Sequence, residues 1–308
     1  MEFSMPARVR WDVDFDGRVG RPKRIARQIR GIGPLSVDLR IEGERGMAEL
    51  PAVFSEINKC GASVAVTAGL SLRTRAAVRW GYPFELVWEV GPGAPFSDLL
   101  PEGARTIAFT PDAETVGALP AVLAEFAGSA ARELRLRNVN AVRAVAAKGH
   151  VPIPGARQVQ EACEDIARAD IDLAGRTLVV HDYFLWKALR ERFPGASGER
   201  VDFAGCQAGS SLVHVDWDGN VYPCDSLPIR LGNLLETPFE RIWRSPARQN
   251  LFAAIRATPT ACGSCNSYGG CLGGCRGLAY TAHGSFDAPD PSCPRGADPR
   301  GRNGNDPS

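Results

Sequence analysis

Seven of the nine cysteines lie between Cys206 and Cys293, and their spacing restricts what this chain can fold into more than any other feature. The segment reads Cys206-x12-Gly219-x4-Cys224, then Cys262-x2-Cys265-x5-Cys271-x3-Cys275, and Cys293 after seventeen more residues. The start, MEFSMPARVRW, lacks the apolar core of a secretory signal, which predicts a cytoplasmic chain with reduced thiols. An odd number of clustered cysteines also suits disulfides poorly. Crowded thiols in a reducing compartment point to metal.

The residue types fit iron–sulfur chemistry. A [4Fe–4S] cubane takes a thiolate on each iron, and short spacings let one loop wrap a cluster from several sides. Gly269, Gly270, Gly273, Gly274 and Gly277 remove side chains where backbone must pass close to sulfide, and they free N–H groups to donate to sulfur. Cys271 and Cys275 would share a face if that stretch were helical. The logic of two-cluster ferredoxins instead sends Cys275 away from Cys262, Cys265 and Cys271. A zinc site built from Cys262, Cys265, Cys271 and Cys275 is the alternative, and it leaves Cys206, Cys224 and Cys293 without a role.

Ahead of this segment the texture is alternating strand and helix. Val9, Trp11, Val13 and Phe15 alternate with Arg8, Arg10, Asp12 and Asp14, and Leu35 to Ile41 repeats the pattern. Helices are expected over about 47–58, from Asp112 toward Phe126, and over 159–167. Further strands are expected near 63–67, 84–90, 106–109, 134–137 and 177–180. This implies an α/β fold with parallel strands and helical crossovers, either an open sheet or a complete or partial barrel. Arg10, Asp12, Asp38, Arg40, Glu85, Glu89, Arg135 and Arg137 all fall on the polar phase. One sheet face therefore meets a charged space, which a partial barrel accommodates best. Internal Arg–carboxylate pairing and ligand binding both explain that face. Beyond residue 200, a hairpin is expected at 212–223 and helices over 238–257, broken near Pro246.

The cysteine order, with Gly219 and the spacer LGNLLETPFERIWRSP, resembles the SPASM domain, the auxiliary-cluster module of many radical SAM peptide maturases. The resemblance covers about residues 200–295. It implies a degenerate radical SAM-like partial (β/α) barrel over 1–195 and a small Cys-rich α+β SPASM domain over 196–295; the Pro-, Gly-, Asp-, Arg- and Asn-rich composition of 296–308 predicts a disordered tail. The resemblance also implies two [4Fe–4S] clusters. Cys262, Cys265, Cys271 and Cys293 would bind one completely. Cys206, Cys224 and Cys275 would bind the other and leave one iron open.

The radical SAM family holds its catalytic cluster by Cys-x3-Cys-x2-Cys after the first strand. Here that position reads DGRVGRPKRIARQIR, and no cysteine precedes Cys60. Glu42-Gly43-Glu44 resembles the family's Gly-Gly-Glu, with Glu44 matching the SAM-binding glutamate. Without the anchoring cluster SAM loses its main attachment, and Glu44 reads as a relic or a lumen charge. The layout is similar to the SPASM-domain protein of the GeoRSP peptide-modification system. That similarity implies a non-catalytic partner of an intact radical SAM/SPASM maturase, a PqqD-type peptide chaperone and a precursor peptide. The part played would be electron relay or peptide docking. A divergent radical SAM enzyme with other cluster ligands and a zinc-held scaffold are the alternatives.

Net charge is +1 and no run of about eighteen apolar residues occurs, so neither nucleic acid nor membrane is an expected partner. Arg18, Arg21, Lys23, Arg24, Arg27 and Arg30 carry no acid among them. They form either a dock for an acidic partner or one solvated helix face. The four histidines, His150, His181, His214 and His283, show no ligand spacing; His214, on the hairpin, could fill the open iron or be an ordinary packed or hydrogen-bonded residue. Cys60 and Cys163 fall at apolar positions and read as core.

Overall fold

The computed structural model describes residues 5–13, 20–41, 50–69, 83–93, 95–100, 102–196 and 205–296. The first half alternates strands β1 (Arg8–Val13), β2 (Ser36–Ile41), β3 (Ser63–Gly69), β4 (Glu85–Glu89), β5 (Thr106–Phe109), β6 (Glu133–Leu136) and β7 (Thr177–Val180) with helices. The helices are α1 (Arg21–Ile32), α2 (Leu50–Ile57), α3 (Leu119–Gly128), α4 (Ala141–Ala146), α5 (Ala156–Arg168) and α6 (Tyr183–Arg192). The second half adds β8 (Leu212–Val215), β9 (Asn220–Tyr222), β10 (Gly232–Asn233), α7 (Phe239–Trp243), α8 (Pro246–Arg256), α9 (Tyr268–Cys271) and α10 (Arg276–His283).

One ten-stranded sheet runs through both halves in the order β10-β9-β8-β1-β2-β3-β4-β5-β6-β7. Strands β1 to β7 pair in parallel, β8 joins β1 in parallel, and β9 and β10 are antiparallel. The hairpin expected from the cysteine segment therefore extends the barrel sheet. Parallel strands need helical crossovers, and their outward residues pack on those helices. Val9, Trp11, Val37, Leu39 and Val66 form one core with Ile25 and Ile29 of α1, Phe54 of α2 and Trp243 of α7. Ile107, Phe109, Leu134 and Leu178 form the other with Leu123 and Phe126 of α3, Val159 of α5 and Leu189 of α6. Cys60 and Cys163, half-buried, pack against these two cores.

The inner face is polar. In register across the strands stand Arg10, Asp38, Ala65 and Glu85, and one step further Asp12, Arg40, Thr67 and Thr106. The sheet is rolled. Strands β2 and β6 are four strand spacings apart, about 19 Å if flat. Yet Arg137, just past β6, donates to Thr67 Oγ1 at 2.8 Å and Asp38 Oδ2 at 3.3 Å. Asn140 likewise reaches Asp12 of β1 at 2.9 Å.

Local deviations have plain causes. Asp112 does not start the third helix. Its carboxylate takes the N–H groups of Glu114 and Thr115 in a tight turn, a short 3-10 helix follows over Val116–Ala118, and the α-helix begins at Leu119 ahead of Pro120. The basic run forms α1, with Ile25, Ala26 and Ile29 buried. Its cations are partly spent within the chain: Arg27 and Arg30 pair with Glu56, and Arg21 pairs with Asp218. Lys23 and Arg24 are exposed. Phe15, Arg18, Glu42, Gly43, Glu44 and the tail beyond residue 296 lie outside the described residues.

Candidate metal centre

The seven clustered cysteines are brought to two places. Cys262, Cys265, Cys271 and Cys293 line a small cavity of about 60 Å³ with Phe184, Tyr268 and Asp290. Cys206, Cys224 and Cys275 line a cavity of about 1650 Å³ that extends into the rolled sheet. Among the described residues no three His, Cys, Asp or Glu side chains converge on a point one metal ion could occupy. Zinc draws four ligands onto one ion at about 2.3 Å, whereas a cubane keeps its thiolates apart on separate irons. Four thiols around one cavity and three facing another therefore fit clusters better than a lone ion. The single zinc set is also divided, since Cys275 faces the other cavity from Cys262, Cys265 and Cys271.

The backbone between Cys271 and Cys275 produces that division. Helix α9 ends at Cys271. Leu272, Gly273 and Gly274 then have φ of 47°, 80° and 66°. Three left-handed residues in succession cannot continue a right-handed helix. The conditional expectation of a shared helical face thus fails, and Cys275 is turned away. It caps α10 instead, its Sγ accepting the Leu278 N–H at 3.5 Å. A Cβ on Gly274 would lie 2.3 Å from Asp290 Oδ2. Asp290 accepts the Cys275 N–H and, at 2.8 Å, the Ser292 N–H, so it ties the two cysteine loops together. Gly274→Ala combines a left-handed backbone with this clash. It is expected to cost at least about 1–2 kcal/mol and to lower the iron bound on anaerobic reconstitution, read by iron analysis beside wild type. Unchanged iron and unchanged unfolding would remove this loop from the account.

The first turn of α10 lies directly on the three-cysteine group. A Cβ on Gly277 would meet Ser226 O at 3.1 Å and Cys224 Sγ at 3.4 Å. Burial pushes the Cys206 thiol up, opposed by the N–H groups of Ala208, Arg276 and Gly277 directed at its sulfur and by the Arg276 charge. Burial also raises Cys224 and Cys275 well above the ordinary thiol range, with Asp225, Cys206 and Cys275 adding to the first and Cys206, Asp290 and Asp182 to the second. Such thiols ionise only with a strong cationic partner, which metal binding supplies as it releases their protons. Asp290, buried and near Asp182, is pushed up to about 7.

The large cavity carries charge. Arg8, Arg10, Asp38, Glu85, Arg135 and Arg137 are in its wall. Arg10 Nη1 donates to both Asp225 oxygens at 2.8 Å, joining β1 to the residue after Cys224. Burial would raise the Asp225 carboxyl; Arg10, with His214 and His181 beyond it, overrides burial and holds it at about 2. Arg135 pairs with Glu85 and Glu133. Arg8 has no acidic partner among the described residues. On β1 to β4 the cavity touches only the first halves of the strands. Asp12, Arg40, Thr67 and Glu89, in the second halves, do not line it. Among the described residues, side chains cross the lumen there: Arg40 bonds Glu89 at 2.5 Å, while Arg137 and Asn140 span from the β6 side to β1–β3.

His214 is not in that wall. Fully buried on β8, its Nε2 stands 3.5 Å from Asp12 Oδ2. His181, at the end of β7, does line the cavity and was not singled out in the sequence. Asp225, Arg276 and Asp290 were also missed. For Asp225 and Arg276 the one available signal is adjacency to Cys224 and Cys275.

Residues 206–266 match the SPASM family, an iron–sulfur cluster-binding domain. The AdoMet-dependent heme synthase of Nitratidesulfovibrio vulgaris is 35% identical over 89 residues, 29% of this chain and 24% of that protein. The mycofactocin maturase MftC of Mycobacterium ulcerans is 33% identical over 108 residues, 33% of this chain and 28% of that protein. This chain thus spans about a quarter of the length of these relatives. Among solved structures, native anSMEcpe with bound AdoMet aligns with a TM-score of 0.63 at 13% identity, covering 94% of each chain. Streptococcus suis SuiB bound to S-adenosylmethionine aligns at 0.59 and 15% identity, covering 92% of this chain and 76% of that one. The fold is therefore the radical SAM (β/α) architecture followed by a SPASM domain.

Proposed function

We propose that this chain is a non-catalytic iron–sulfur partner in radical SAM-dependent peptide modification, carrying two auxiliary [4Fe–4S] clusters. Cys262, Cys265, Cys271 and Cys293 hold one cluster, and Cys206, Cys224 and Cys275 hold the other with one iron open. When bound, such clusters supply one-electron transfer, and an open iron adds a Lewis-acid position. The observation that carries the reading is the direction of the large cavity. Parallel α/β folds do their chemistry at the C-terminal ends of the strands. Here that part of the lumen is crossed by Arg40–Glu89, Arg137–Thr67 and Asn140–Asp12. Among the described residues, the open space lies over the first halves of β1–β4, against the three-cysteine group.

In this reading Arg8, which has no acidic partner among the described residues, offers its charge to an acidic residue or carboxylate of a docked precursor peptide. Arg10 and Asp225 fix the Cys224 loop to the barrel while that peptide is held. The partners are an intact radical SAM/SPASM maturase, a PqqD-type chaperone and the precursor peptide, all cytoplasmic. Two relatives support the setting: one is a maturase, and anSMEcpe is also solved with a bound peptide.

A second reading is favoured by the AdoMet bound in the structural neighbours. It makes this chain a divergent radical SAM enzyme with unusual cluster ligands. Reduction of the fully loaded protein with SAM separates the two. The partner reading expects 5′-deoxyadenosine no higher than in a protein-free control, and turnover-linked release would overturn it. A third reading, a zinc scaffold, fails on a brown protein absorbing near 400 nm.

A further inference from the structure

The residue after Cys275 is a buried cation that hydrogen-bonds no carboxylate among the described residues. Arg276 is 1% exposed. Its Nη1 donates to Gly273 O at 2.9 Å, and its Nη2 to Phe286 O and, at 2.7 Å, to Ala288 O. These are carbonyls of the left-handed turn after Cys271 and of the loop that leads to Cys293. No carboxylate among the described residues pairs with it, and its Nε is buried without a hydrogen-bond partner. A guanidinium stays protonated, so the charge is fixed. Arg276 opens α10 beside Cys275, the first turn of that helix stands against Cys224 at Gly277, and its carbonyl partners lie in the loops after Cys271 and before Cys293.

We propose that Arg276 is the shared counter-cation of the two cysteine groups, and that its fixed charge raises the reduction potential of both bound clusters. The inference rests on the two-cluster reading. Adding an electron adds negative charge to a cluster. A nearby buried cation, little screened, stabilises that reduced state more than the oxidised one. One residue then sets the two potentials together. The carbonyls that surround it hold the guanidinium in place; its charge also acts on Asp287 and Asp290, neither of which hydrogen-bonds it.

The test is an EPR-monitored redox titration of reconstituted full-length wild type, Arg276→Gln and Arg276→Lys, with iron counted in each sample. Wild-type iron content judges the two-cluster reading by itself; the potentials judge the role of Arg276. Arg276→Gln is expected to lower both midpoint potentials, and Arg276→Lys to keep both close to wild type. Three results overturn the proposal. One is a loaded Gln variant with either potential unchanged. Another is a Lys variant that shifts as far as Gln. If Gln fails to load iron, Lys decides: loaded protein with wild-type potentials supports the charge. Loss of clusters in Lys as well leaves Arg276 only its carbonyl-tying role and is the third overturning result.

Discussion

Asp225→Ala is expected to destabilise the protein by about 3 kcal/mol, with Arg10→Ala similar, because each leaves one half of a buried ion pair unpaired. The pair's side chains are only 23% and 14% exposed, and both Asp225 oxygens are taken by Arg10. Screening by solvent is therefore weak, unlike at exposed pairs such as Arg157–Glu161. Asp225 also holds its loop through the backbone, where its carbonyl accepts the Val142 N–H at 3.0 Å, while Ser226 bonds Val139 O at 2.9 Å. Losing the side-chain clamp thus loosens the Cys224 loop against both β1 and the segment leading into α4. Anaerobic denaturant unfolding measures the effect, and a change below about 1 kcal/mol would contradict it. The same variants are expected to lose iron from the three-cysteine group first.

Cys262→Ala and Cys224→Ala are each expected to remove about half of the bound iron and leave the other half as an intact cluster. The two groups line separate cavities and are parted by the left-handed turn at Leu272–Gly274. Cys275 decides the partition. Cys275→Ala is expected to behave like Cys224→Ala, sparing the cluster lost in Cys262→Ala. Mössbauer spectra of the three variants read this directly. A Cys275 variant that loses the same cluster as the Cys262 variant would reverse the assignment. Loss of all iron in every single variant would mean that the groups form one unit.

Much of this was legible in the chain because its signals are local. Period-two alternation placed β1 and β2, and the strand–helix spacing placed β3 to β7, to within a few residues. The charged phase of those strands showed that one face would be polar. It did not show what the charges do, because Arg137 meets Asp38 across 99 residues and Arg10 meets Asp225 across 215. Spacing alone left Cys275 either stacked over Cys271 or turned away. The deciding fact is the φ of Leu272, a residue type that gives no advance notice of a left-handed conformation. Arg276 and Asp290 were invisible for a related reason. Their roles come from what surrounds them after folding: carbonyls for the first, and the Cys275 and Ser292 amides for the second.

The central claim is that two clusters are bound by seven thiolates. Anaerobic reconstitution followed by iron quantification and Mössbauer spectroscopy tests it most directly. About eight irons per chain are expected, all in [4Fe–4S] form and with one iron site distinct from the rest. About four irons or fewer, or zinc in their place, would contradict it.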